Sequence, residues 1–247
     1  MMSQIFLAIV SFFTMAASTV ALSDVTLNPA RTIVISGPIT GSIVGPVSKT
    51  LDKLAEDTTQ PVDLVLSSPG GSVVAGYLII DKMESLKTKG LKFRCTVRQV
   101  AASMAFQMLL HCDDRITTPY AFLLWHPVRI FFQGALTADV AKTAAIQLAD
   151  TDSIIRADLY ANLPMKKSTI DWHFTNETLH HAKSMVTSCP GFFSYVGLGI
   201  GNLYKDDDVA LNTADFGGFS LQSRGVVYIH ERFIGEMGNQ DNTKEIK

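Results

Sequence analysis

Apolar positions along the chain follow two alternating periods. Short runs at Arg31–Gly37, which is rich in β-branched residues, and at Val62–Leu66, Leu91–Val97, Asp114–Thr117 and Ala121–Trp125 predict strands. Between them, apolar residues recur every three or four positions. Residues 43–56 do so through Ile43, Val44, Val47, Leu51 and Leu54, and residues 72–87 through Val73, Tyr77, Ile80 and Met83. These spacings predict helices, as do an apolar run at 103–112 and a long stretch at 137–161 where acids and lysines interleave with alanine and isoleucine. Strands alternating with helices imply an α/β fold with a mainly parallel sheet and crossover helices. The pattern fits both a doubly wound sheet and a spiral of stacked β-β-α units. Residues 191–201 are apolar but glycine-rich and too short to cross a bilayer, so they read as packing on the core or on a partner subunit. The polar tail 236–247 reads as disordered.

The first residues break this pattern. Residues 5–22 form an apolar run that ends in small residues, as a secretory leader does, with cleavage expected near Ala17 or Ala21. The run is also nearly long enough to be an uncleaved anchor. Either way the expected location is outside the cytoplasm: periplasmic or secreted, or alternatively membrane-anchored and facing outward. The rest of the composition is that of an ordinary globular chain. Of its 247 residues 47% are hydrophobic and 18% charged, and a net charge of −2 leaves no basic footprint for nucleic acid. Three cysteines, Cys95, Cys112 and Cys189, match no zinc spacing. Export permits one disulfide with one thiol left over. Burial as small apolar side chains is the simpler reading for Cys95 and Cys112.

Three local signals carry candidate chemistry. Ser103 follows a strand and opens a helix, where its hydroxyl and the Met104 N–H can face one small volume. An N-cap role explains a lone serine at such a place equally well. Ser68-Pro69-Gly70-Gly71 also joins a strand to a helix. Its glycines let backbone N–H groups approach a ligand, and no Gly-Lys-Ser/Thr follows to make a phosphate loop. His126 ends an apolar strand and is held extended by Pro127. A hydroxyl, an imidazole and a glycine-rich turn together form the parts of a serine hydrolase. The orienting acid is less marked. Asp171, in the apparently extended Asp171–Phe174 segment ahead of a helix, comes first, Glu177 second and Asp114 third. The sequence calls for no metal and no cofactor.

Taken in order, these residues resemble the proteolytic subunit of the Clp protease family. Ser67-Ser68-Pro69-Gly70-Gly71-Ser72-Val73-Val74-Ala75-Gly76 is similar to that family's glycine motif, Ala101-Ala102-Ser103-Met104 to its nucleophile motif, and His126-Pro127 to its histidine motif. Gln133-Gly134 stands at the matching offset before the long helix, and Asp171–Thr175 looks like the acid-bearing segment. The resemblance implies a crotonase-like spiral of β-β-α units with a long protruding helix, and peptide-bond hydrolysis by Ser103, His126 and Asp171. Gly71 and Met104 would supply oxyanion N–H groups. It divides the chain into a leader or anchor at 1–22, a peptidase domain at 28–185 and an extension at 186–247. The implied partners are a peptide or unfolded protein substrate and further copies of the chain, with membrane association through the N-terminal segment. An exported copy would work without an ATPase partner. The sequence departs from the pattern at Ala105, where the family has glycine, and at Pro127, which follows His126 with no glutamine between. Two rivals share the fold: a crotonase-type thioester enzyme, and a non-catalytic, ring-forming pseudo-peptidase.

Overall fold

The computed structural model describes residues 25–131 and 134–203, with the backbone of 220–221 and 227–230. The leader or anchor read at 1–22, Gln133 and the tail 236–247 lie outside the described residues. Strand β1 (Val25–Thr26) and a short 3₁₀ turn lead into β2 (Thr32–Ser36). Then come α1 (Gly41–Leu54), β3 (Val62–Ser68), α2 (Val73–Lys87), β4 (Phe93–Ala102) and α3 (Met104–Leu110). Strands β5 (Asp114–Thr117) and β6 (Phe122–Leu124) precede the long α4 (Ala138–Asn162) and α5 (Lys167–Thr175). The chain continues through β7 (His180–His181), α6 (Ala182–Ser188), β8 (Tyr195–Val196) and β9 (Ile200–Gly201), with β10 (Ser220–Leu221) and β11 (Val227–His230) beyond.

The main sheet runs β10-β11-β2-β3-β4-β5-β8, parallel throughout except at β10 against β11. The predicted α/β alternation with a parallel sheet is therefore the observed fold. Its central strands are buried on both faces, which is why β2 and β3 read as continuous apolar runs rather than alternating ones. Among the polar exceptions is a charged one, Asp63, fully buried in β3. Its carboxylate accepts two bonds from Arg94 (2.6 and 3.0 Å) and one from the Asn28 N–H (2.8 Å), so the charge is paired and saturated.

Strand β4 positions the site. Its first half pairs with β5 (Arg94↔Asp114 through Val97↔Thr117) and its second half with β6 (Val100↔Phe122 through Ala102↔Leu124). Against β3 the register shifts between Leu66 and Ser68. One ten-residue strand thus leaves one neighbour and takes another. Helices α1, α2 and α3 cover one face, where Phe93, Phe106, Trp125 and Phe174 are among the largest fully buried side chains. Cys95 on β4 and Cys112 after α3 are both buried, as expected of small apolar side chains, and they form a disulfide. Cys189 is the buried free thiol.

Candidate active site

The three sequence signals meet because they end three neighbouring parallel strands. Strand β3 runs into Gly70-Gly71, β4 into Ser103 and β6 into His126, and ligands of parallel sheets gather at such carboxyl ends. The Ser103 N–H donates to the Leu124 carbonyl at 2.8 Å, so the last bond of the β4–β6 ladder sits two residues from His126.

Ser103 occupies the N-cap position of α3, yet its hydroxyl makes no capping bond. Its backbone lies at φ 55°, ψ −125°, a region L-residues rarely adopt, at a cost of about 1–3 kcal/mol. An ordinary N-cap has extended φ/ψ and spends its oxygen on the helix. Ser103 does neither, so capping does not account for it.

The glycine turn is pressed against this strained residue. A Cβ at Gly70 (φ +95°) would lie 2.5 Å from Ser103 Cβ and 2.9 Å from the Met104 nitrogen. At Gly71 (φ +151°) it would lie 2.2 Å from the Ile39 carbonyl oxygen. Ile39 brackets the turn, donating to the Gly70 carbonyl and accepting from Ser72, both at 2.7 Å. Only glycine fits at either position.

His126 is part-buried, and its Nδ1 lies 2.6 Å from the Pro127 carbonyl. A carbonyl only accepts, so Nδ1 carries the proton and Nε2 is the basic nitrogen. Ser103, His126, Gly71 and Met104 all line one cavity of about 190 Å³, with Val73, Gln107, Trp125, Val128, Arg129, Phe131 and Ile155.

The acid departs from expectation. Asp171 is not on an extended segment but inside α5, because Ile170 and Phe174 anchor that turn in the core. Its Oδ1 accepts from Arg156 and Tyr160 of α4. The expected Asp171–His126 hydrogen bond is not formed, since both groups are committed elsewhere. Asp114, on β5, accepts from Ser194. Glu177 lies in the turn that closes α5, its N–H donating to the Phe174 carbonyl at 3.4 Å. Glu177 sits at φ 47° and accepts from Arg129, a lining residue of the same cavity. Arg129 and Gln107 went unread in the sequence. The signal for Gln107 was a lone polar residue in the otherwise apolar α3.

Trp125, next to His126 in the chain, belongs to a cluster of three rings. His180 stacks on Trp125 at 4.6 Å, and His173 meets His180 edge-on at 4.4 Å. Burial, and then the His173 charge, push the His180 pKa down to about 4, so it packs as a neutral ring. His181, on the other side of β7, lies against the Phe122 ring at 4.5 Å. Among the described residues no group of three or more metal-ligating side chains assembles.

The described residues thus form an α/β fold in which a strained serine and a histidine line one cleft. The family model of Clp protease matches residues 17–185, and the chain belongs to that family. It is 34% identical over 122 residues, 47% of this chain and 58% of the relative, to the "ATP-dependent Clp protease proteolytic subunit" of Paracoccus denitrificans. It is 36% identical over 75 residues, 30% of this chain and 37% of the relative, to the protein of the same name from Streptococcus mutans. In both cases the match covers less than two thirds of the relative's length.

Proposed function

We propose that the protein is an exported serine peptidase that cleaves peptides or unfolded segments without an ATPase partner. The observation that carries this reading is the uncapped, strained Ser103 on the same cavity as His126, whose Nδ1 proton leaves Nε2 basic. In the proposed reaction Nε2 takes the Ser103 proton as the hydroxyl oxygen attacks the scissile carbonyl. The Gly71 and Met104 N–H groups receive the oxyanion, and the imidazolium returns the proton to the leaving amine. The presence of both serine and histidine favours this over thioester chemistry, for which two backbone N–H donors would suffice. Glu177 is the preferred orienting acid, because it is paired with Arg129, a lining residue of the same cavity, and would exchange Arg129 for the imidazole as His126 Nδ1 leaves the Pro127 carbonyl. Glu177→Gln is then expected to lower kcat/KM by about 10²-fold or more, and Asp171→Asn by less than about fivefold. A peptidase assay giving the reverse order would restore Asp171. Labelling of wild-type protein, but not of Ser103→Ala, by a fluorophosphonate tests the whole reading. Absence of labelling would favour the pseudo-peptidase.

Export is supported by the disulfide, because such bonds persist in oxidising compartments. Protein taken from its native host, denatured without reductant and alkylated, should label at Cys189 only, and at all three cysteines after reduction. Three labelled thiols before reduction would place it in a reducing compartment. Self-association is supported by Phe131, Leu136, Val140, Ile146 and Ile154, exposed apolar side chains on and before α4.

A further inference from the structure

Besides the proposed chemistry, the cavity beside Ser103 is lined by apolar side chains and by Arg129 at its exposed side and Gln107 at its buried side. Gln107 stands one helical turn after Ser103 on α3, a helix whose other residues, Met104-Ala105-Phe106 and Met108-Leu109-Leu110, are all apolar. It is 2% exposed, lines the cavity, and its Oε1 has no hydrogen-bond partner. Leaving a buried amide oxygen unpaired costs about 1–3 kcal/mol, while methionine would fill the same shape without that cost. Trp125, on the same cavity and 1% exposed, carries an indole N–H that is likewise unpartnered. Two cavity-lining residues thus carry an unpaired buried acceptor and an unpaired buried donor, which a group offering both would satisfy on entering beside them.

We infer that Gln107 sets specificity, and that the cavity receives a substrate side chain ending in a primary carboxamide on the acyl side of the scissile bond. This rests on the peptidase reading above. The pocket beside a nucleophilic serine reads the residue whose carbonyl is attacked. Val73, Val128 and Ile155 would hold the methylene stem. The substrate NH₂ donates to Gln107 Oε1, and its carbonyl accepts from whichever donor of the pocket it meets. A carboxamide also satisfies the Gln107 amide turned end for end. Sites built to hydrogen-bond a substrate group discriminate strongly against analogues lacking it, because their own buried polar groups are then left unpaired.

The test uses two fluorogenic peptides, identical except for glutamine or the isosteric methionine before the scissile bond. The wild-type protein should prefer the glutamine peptide by about tenfold or more in kcat/KM. Gln107→Met should erase that preference by slowing the glutamine peptide, with the melting temperature unchanged or raised. Equal cleavage of both peptides by wild-type protein would overturn the inference while leaving the peptidase reading intact, whatever the variant does. So would a preference that survives Gln107→Met. Binding of the same peptides to Ser103→Ala, followed by fluorescence anisotropy, separates the two readings. A glutamine preference in binding that is lost on adding Gln107→Met would uphold the pocket even if wild-type protein cleaved nothing. Absence of both cleavage and selective binding would overturn the pocket assignment together with the reading beneath it.

Discussion

Ser103→Ala is expected to lower kcat/KM on any cleaved peptide by about 10⁴-fold or more, leaving only what the oxyanion donors and substrate binding supply. The same change should alter stability little, and in a telling direction. Ser103 lies at φ 55° and makes no capping bond, so removing its hydroxyl loses no intramolecular hydrogen bond of the described structure. Alanine bears the same Cβ and therefore the same backbone strain. Melting temperature within about 2 °C of wild type, with activity lost, is the outcome for a residue kept for chemistry. Unaltered activity on a peptide that wild-type protein cleaves would remove Ser103 from the mechanism. A large fall in melting temperature would make it structural.

The second large effect is expected at Gly71. An alanine there would bring a methyl group to 2.2 Å from the Ile39 carbonyl oxygen at a φ of +151°. The obstacle is backbone, not the end of a flexible side chain, so the turn itself must move. That movement displaces the N–H proposed to face the oxyanion, and loss of one such donor costs about 10²–10³-fold in kcat. Gly71→Ala should therefore reduce kcat by at least about 10²-fold while changing KM by less than about tenfold. It should also destabilise the fold by roughly 1–3 kcal/mol through strain at this backbone position. A steady-state analysis in which only KM rises would show that the turn binds substrate without stabilising the transition state.

Much of this was legible in the chain because burial and local chemistry spoke together. β2 and β3, buried on both faces, announced themselves as short, largely apolar runs, and α1 showed its buried Ile43, Val47 and Leu51 at helical spacing. Ser103, His126 and Gly71 were readable because each follows a strand, and parallel strands bring their ends together. Asp171 was misread as extended because the hydrophobic anchors that make α5 a helix, Ile170 and Phe174, lie on either side of it in a short span. Asp171's true partners, Arg156 and Tyr160, belong to α4, and no local signal announces such a contact. The Cys95–Cys112 bond was likewise out of reach, since pairing depends on how α3 returns its end to β4. Gln107 was visible as a polar letter in an apolar helix, but its lack of a partner is a property of the packed cavity alone.

The exchange of neighbours along β4 has a mechanical meaning. The proposed nucleophile and base, Ser103 and His126, hang from two strand ends that are bonded to each other through Ala102↔Leu124 and the Ser103–Leu124 bond. A disturbance arriving along β4 therefore carries both ends together, and the separation between hydroxyl and imidazole is insulated from it. The glycine turn has no such protection. It hangs from β3, across the place where the β3–β4 register slips, and a distortion there would move the proposed Gly71 donor relative to a serine–histidine pair that stays intact.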